Sequence, residues 1–276
     1  EKKEDKKGME ESAMLLAFDT GNTNVVMGVY EGDRLFSSWR FATDARRTAD
    51  EYAVLCRDFF ATKGLGFEAI DQIIISSVVP DLTRTLVRMC EVYFGIAPLL
   101  VEAGVKTGLK IRYENPKELG ADRIVNAVSG IERYGAPLII VDFGTATTFC
   151  AINADKEYLG GAITAGIGIS MESLFSHAAK LPKVELVAPD QVIGRTTVDA
   201  MSSGLVFGYA DLVDGMIARI AREMGSTPED IFVVATGGHS ETICVNCRYV
   251  NTIDPMLTLE GLRLIALRNK GGRRHA

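Results

Sequence analysis

The chain has 276 residues, 47% of them apolar and 24% charged, with a formal net charge of −6 at neutral pH. That length allows one large or two medium domains with sizeable cores. The acidic balance, with a pI ≈ 5.3, argues against a dedicated nucleic-acid binder, so anionic ligands must be met by local donors and cations.

Residues 1–13 carry nine charged side chains and no apolar period. They are expected to be a disordered or added extension, with Met14 as the natural start. Residues 14–19, 24–30 and 34–41 read as three consecutive strands, with a turn at Glu31-Gly32-Asp33. Residues 49–60 have helical spacing, with Tyr52, Leu55, Cys56 and Phe59 on one face. Residues 73–75 form a buried strand running into Ser76-Ser77, and Asp81 is expected to cap a helix reaching about residue 94. A short strand follows near 99–101. The turn Gly120-Ala121-Asp122-Arg123 opens a helix to about 134.

The second half repeats the theme. Strands are expected at 138–142, 147–152 and 157–163, and Gly166-Ile167-Gly168 leads into a helix through 179. A long helix spans about 197–224, a strand 231–235 and a last helix 257–267. No low-complexity linker divides the chain. Two half-domains, 14–125 and 126–276, are expected to share a cleft.

One pattern occurs twice. Asp19-Thr20-Gly21-Asn22-Thr23 follows a buried apolar run, and so does Asp142-Phe143-Gly144-Thr145-Ala146-Thr147, 123 residues later. An Asp at a strand end can place a carboxylate where a cation meets phosphate oxygens. Gly21 and Gly144 allow close backbone approach and positive φ where needed. Thr23 and Thr145 add hydroxyls beside anion-binding backbone N–H groups. Either loop alone would pass for an ordinary β-turn; two copies point to two related halves offering loops to one phosphate chain, as in actin-like ATPases and sugar kinases. Thr236-Gly237-Gly238, at another strand end, is a third glycine loop and a candidate for the adenosine end of a nucleotide. No Gly-x-x-x-x-Gly-Lys-Ser/Thr run and no Gly-x-Gly-x-x-Gly after a strand is present, which disfavours Walker and Rossmann sites.

Five scattered cysteines make no disulfide framework. One Cys244-Val245-Asn246-Cys247 pair, with three histidines in the chain, supports a zinc site poorly. Reduced thiols and short apolar runs lead to the expectation of a cytoplasmic protein without membrane or nucleic-acid partners.

The motifs Asp19-Thr20-Gly21-Asn22-Thr23, Tyr113-Glu114-Asn115-Pro116-Lys117-Glu118-Leu119-Gly120-Ala121-Asp122-Arg123 and Asp142-Phe143-Gly144-Thr145-Ala146-Thr147-Thr148 resemble the type III pantothenate kinases. So do Gly160-Gly161-Ala162-Ile163-Thr164-Ala165-Gly166 and Leu257-Thr258-Leu259-Glu260-Gly261-Leu262, and the likeness extends over residues 14–268. The resemblance implies an α/β fold of two actin-like, ribonuclease H-like half-domains, with mixed sheets flanked by helices and the site in the cleft. It implies ATP-dependent phosphorylation of pantothenate to 4′-phosphopantothenate, the first step toward coenzyme A. By the same resemblance ATP meets Asp19, Thr20, Gly21, Asn22, Thr23, Asn24, Val25, Val26 and Thr145. Asp122 takes the proton, and Tyr113, Gly120, Ala121, Asp122, Arg123 and Thr197 line the pantothenate site. Asp142 binds a monovalent cation (K+ or NH4+), and magnesium accompanies ATP. The family also implies a homodimer, with the 197–224 helix at its interface. His239-Ser240 departs from the smaller apolar residues usual there. Two other readings are another small-molecule kinase of the superfamily and a non-catalytic nucleotide-binding relative.

Overall fold

The computed structural model describes residues 13–178 and 181–270. The expected extension therefore lies, but for Ala13, outside the described residues, as does the expected helix end at 179.

The chain begins with an antiparallel meander of β1 (Met14–Thr20), β2 (Asn24–Glu31) and β3 (Arg34–Ala42), followed by helix α1 (Ala49–Ala61). Strand β4 (Ile70–Ser77), helix α2 (Pro80–Met89) and the short β5 (Leu99–Leu100) complete the first sheet, in the order β3-β2-β1-β4-β5. A two-residue strand β6 (Lys110–Ile111) precedes helix α3 (Ala121–Tyr134). A second meander follows, of β7 (Leu138–Phe143), β8 (Ala146–Ile152) and β9 (Glu157–Ala165). Then come α4 (Ile167–His177), α5 (Thr197–Glu223), β10 (Phe232–Thr236), α6 (Ser240–Cys244), β11 (Thr252–Ile253) and α7 (Leu257–Arg268). The second sheet runs β11-β10-β7-β8-β9-β6.

The two sheets share one wiring. In each, a strand pairs antiparallel with the next strand of its meander and parallel with a later strand, which itself carries a short parallel edge strand. The expected pair of related α/β halves is thus present.

Apolar residues cover both faces of the first sheet. Leu16, Phe18, Val25 and Met27 meet Tyr52, Phe60, Leu82 and Leu86 of α1 and α2 on one face. Leu15, Ala17 and Ile74 meet Val125, Leu259, Leu262 and Ile265 of α3 and α7 on the other. Such near-continuous apolar strands belong to sheets buried on both faces. Helix α7 thus returns from the C-terminal end to cover the first sheet, and the expected boundary at 125/126 falls inside α3. Both helices bridge the lobes.

Helix α2 also differs from expectation. Pro80 occupies its first turn, its N-cap Val79 makes no side-chain cap, and Asp81 pairs with Arg84 instead of capping. Proline suits that position because its missing N–H would be unpaired there anyway. The helix ends at Met89 and widens through Cys90–Phe94 before the left-handed Gly95. Among the described residues no helix is long and apolar enough to cross a membrane.

Candidate active site

A cleft of about 970 Å³ lies between the sheets. Its walls include Asp19, Thr20, Gly21, Asn22, Thr23, Asn24 and Val26 from the first hairpin, and Asp142, Phe143, Gly144, Thr145 and Ala146 from the second. Each Asp is the penultimate residue of its strand, held opposite Val26 in one meander and Thr148 in the other. The two loops meet: Thr23 Oγ1 and Thr145 Oγ1 share a hydrogen bond of 2.8 Å. A triphosphate could be gripped from both sides at that point.

Gly21 and Gly144 do not adopt positive φ; their contribution is room. A Cβ would stand 3.3 Å from Asn24 O at the first and 3.4 Å from Ala146 O at the second. Gly237 is the glycine that needs its freedom. Its φ is +93°, and a Cβ there would come 2.6 Å from Asp142 Oδ1 and from Phe143 N. The third glycine loop therefore abuts the second aspartate, and Thr236, Gly237, Gly238 and His239 all line the cleft.

Helix α3 starts in the cleft. Asn115 accepts from Lys117 N at 3.3 Å and donates to Glu118 at 2.7 Å, which shapes the loop before it. Gly120 is the N-cap and offers no side-chain acceptor, so the helix's positive end is capped from within its first turn. Asp122 sits in that turn, with Oδ1 accepting from Arg123 N at 2.8 Å. Even so, burial raises its carboxyl above the ordinary value of 3.8, with the Arg123 N–H and charge pulling back. A carboxylate so placed is a stronger base than a solvated one.

Asp142 is pushed up to about 6, first by burial and then by Asp122. Its Oδ2 accepts from Asn126 Nδ2 at 3.0 Å, and Asn126 Oδ1 accepts from Thr258 Oγ1 at 2.8 Å. This chain fixes the carboxylate from both bridging helices. Asp19 is pushed up to about 8, by burial first and then by Asp122 and Asp142, against the pull of Arg40. Three carboxylates thus crowd one site that has no lysine among its lining residues. Among the described residues, however, no three His, Cys, Asp or Glu side chains converge as a metal cage.

The other expected site residues scatter. Val25 is fully buried in the first core and Ala121 packs against the core on the first sheet's other face; neither lines the cleft. Arg123 is buried, with Nη2 donating to Phe149 O at 3.3 Å, Nε 3.5 Å from Cys150 Sγ, and its guanidinium over the Tyr158 ring. It reaches the cleft wall but its charge is held inside the second lobe. Tyr113 stacks edge-on against Tyr158, with ring centroids 6.5 Å apart, outside the cleft lining. Thr197 is exposed at the start of α5 and does not line its own chain's cleft.

Sequence reading missed Arg40, Glu118, Glu172, His177, Asn126 and Thr258. A clue existed for two of them. Asn126 lies one helical turn after Asp122, on the same face, and Arg40 stands opposite Val26 across the β2–β3 ladder.

A model of the type III pantothenate kinase family matches residues 15–219. A Campylobacter jejuni protein assigned to the Baf family of transcriptional activators superposes with a TM-score of 0.58 at 20% identity, over 92% of this chain and 98% of that one. A Sinorhizobium meliloti protein assigned as a 2-dehydro-3-deoxygalactonokinase gives 0.56 at 12% identity, over 95% and 98%. A Listeria monocytogenes protein assigned as an N-acetylmannosamine kinase gives 0.51 at 12% identity, over 94% and 100%. At such identities the three likenesses speak to the fold alone, which is that of the two-lobed, actin-like sugar kinases. The family match covers most of the chain and includes both aspartate hairpins and the α3 turn; the chain belongs to the type III pantothenate kinase family and is a phosphotransferase of that kind.

Proposed function

We propose that this chain transfers the γ-phosphoryl group of ATP to the 4′-hydroxyl of pantothenate, with Asp122 as the general base. The observation that carries this is the position of Asp122 on the cleft wall in the first turn of α3, in the cleft where the two phosphate loops meet. A primary alcohol is a weak nucleophile near neutral pH. As its oxygen bonds to the γ-phosphorus, its proton passes to the Asp122 carboxylate, and the bond to the ADP oxygen breaks. The Thr23 and Thr145 hydroxyls and the loop N–H groups orient the phosphates.

The residues present fit the cations that such chemistry uses. Asp142 has no basic side chain bonded to it among the described residues, and Gly237 keeps its Oδ1 clear. Asp142 would hold a monovalent cation, K+ or NH4+, with Asn126 and Thr258 orienting it. Asp19 would meet the magnesium that arrives with ATP, whose phosphates supply further ligands. Bound there, the cations offset phosphate charge.

We also assign a homodimer. The apolar residues Met201, Leu205, Val206, Tyr209, Val213 and Ile217 of α5 turn inward and are buried in the chain's own core. What supports a second copy lies beside them: Val187, Val192, Ile193 and Val198 are 48–82% exposed. On α5, Gly204, Gly208 and Gly215 would each give a Cβ nothing within 4 Å. Exposed apolar side chains and open glycines of this kind suit burial against another chain. Thr197, exposed at the start of α5, would serve the partner's pantothenate pocket.

The test is ADP release from ATP with pantothenate, with and without potassium. Pantothenate-dependent turnover that potassium raises supports the reading. ATP binding without pantothenate-dependent ADP release overturns it.

A further inference from the structure

The cleft poses a charge problem. Its lining carries Asp19, Glu118, Asp122, Asp142 and Glu172, against two arginines, Arg40 and Arg123. Arg123 is committed to Phe149 O, Cys150 and the Tyr158 ring. A nucleoside triphosphate adds several negative charges to that surplus, and neither hairpin loop contributes a lysine.

Arg40 is placed to answer it. It belongs to β3, the edge strand of the first sheet, in register with Val26 of the first phosphate hairpin. Its neighbours anchor the strand from the opposite face: Trp39 packs on Phe59 and Phe60, and Phe41 on Tyr52 and Phe59. Its backbone is therefore fixed while its side chain is exposed toward the cleft. The guanidinium crosses to the other lobe, with Nη1 3.3 Å from where a Cβ of Gly238 would stand. Among the described residues Arg40 makes no ion pair. Its charge acts on Asp19 through space.

We propose that Arg40 binds the polyphosphate of the nucleotide, taking over the task of the missing loop lysine and tying the first lobe to the Gly237-Gly238 loop when the nucleotide is bound. A guanidinium suits this role, since its planar fork can meet two phosphate oxygens at once. The ligand class is a di- or triphosphate chain rather than the base or the acid acceptor. The proposal rests on the reading of this cleft as an ATP site.

The test compares the parent with Arg40→Ala and Arg40→Lys in the full chain, by calorimetric titration with a non-hydrolysable ATP analogue, inorganic tripolyphosphate and adenosine. Arg40→Ala should weaken the analogue and tripolyphosphate by about tenfold or more, the scale of a charge-assisted contact. Adenosine affinity and the KM for pantothenate should stay within about twofold, and Arg40→Lys should recover part of the loss because the charge remains. A loss below about threefold for both phosphate ligands, or an equal loss for adenosine, overturns the proposal. If tripolyphosphate binding depends on Arg40 while the parent never phosphorylates pantothenate, the kinase reading fails and the Arg40 assignment stands.

Discussion

Asp19→Asn should make the ligand-free protein more stable while abolishing its turnover. The Asp19 carboxyl ordinarily titrates at 3.8 and is pushed up to about 8 in the fold, by burial and by the Asp122 and Asp142 carboxylates. Below the lower value both folded and unfolded chains hold the proton, and Asp19 costs nothing. Between the two values the unfolded chain releases it and the folded chain keeps it. Stability then falls as pH rises, by about 1.4 kcal/mol per pH unit. Above about pH 8 both states are ionised and the penalty is constant. From about pH 5 to about pH 8 the full loss is about 4 kcal/mol. Water entry and side-chain relaxation in an open cleft would halve that, leaving about 2 kcal/mol. An asparagine side chain does not titrate and escapes the loss. The Tm of the variant minus that of the parent should therefore widen by about 4–8 °C between those pH values. Scanning calorimetry of both proteins across the range reads it, and groups that do not interact with Asp19 cancel. A Tm difference that does not change with pH would refute the claim that burial and crowding at Asp19 strain the free cleft.

Asp122→Asn should keep the fold and lose about 10²–10⁴-fold in kcat, because an amide cannot accept the substrate proton; near-normal turnover in a verified variant would remove Asp122 from that role. Asp142→Ala should abolish stimulation by potassium and weaken ATP binding, read as KM for ATP in sodium and potassium buffers. Equal parent activity in the two buffers would end the cation assignment. Light scattering at micromolar concentration should report a dimer, and a fully active species near the 29.9 kDa of one chain would exclude both the dimer and a shared role for Thr197.

The parts legible in the sequence are those whose physics is local. Both aspartate hairpins were readable because each couples a buried apolar strand to an Asp-Gly-Thr turn, and the α3 turn because Gly120 and Asp122 sit at a helix start. Strands β6 and β11, two residues each, have no period to read; they exist because β9 and β10 offer them ladder partners. Helix α7 shows its apolar spacing, but nothing local says that Leu259 and Leu262 will close the first sheet. That is a tertiary choice, and it is why a boundary inside α3 looked acceptable. Arg40 escaped for a similar reason: seventeen residues downstream of Thr23, it becomes a cleft residue only when β3 folds back on β2. Tyr113 and Thr197 are the reverse case, expected in the site and found outside the cleft of a single chain.

These features share one electrostatic logic. Bringing two related lobes together puts the end of each meander's first strand, and so each lobe's Asp, into one cleft, and α3 adds a third carboxylate. Without ligands the fold holds two of them far above their ordinary range, a cost tolerated because the surrounding sheets and bridging helices fix the strand ends. Cations entering with the nucleotide would remove that cost, so binding free energy would come partly from relief of repulsion already present. Burial raises the Asp122 carboxyl in the free cleft, so Asp122 should be a better base there than beside bound cations, whose charge lowers a carboxylate's proton affinity. Lowering the potassium concentration should then raise the apparent pKa on the acid limb of kcat against pH, since the base regains proton affinity as positive charge leaves the site. An acid limb that stays put while potassium is varied through its activating range would separate Asp142's cation from Asp122's proton and leave the three carboxylates electrostatically independent.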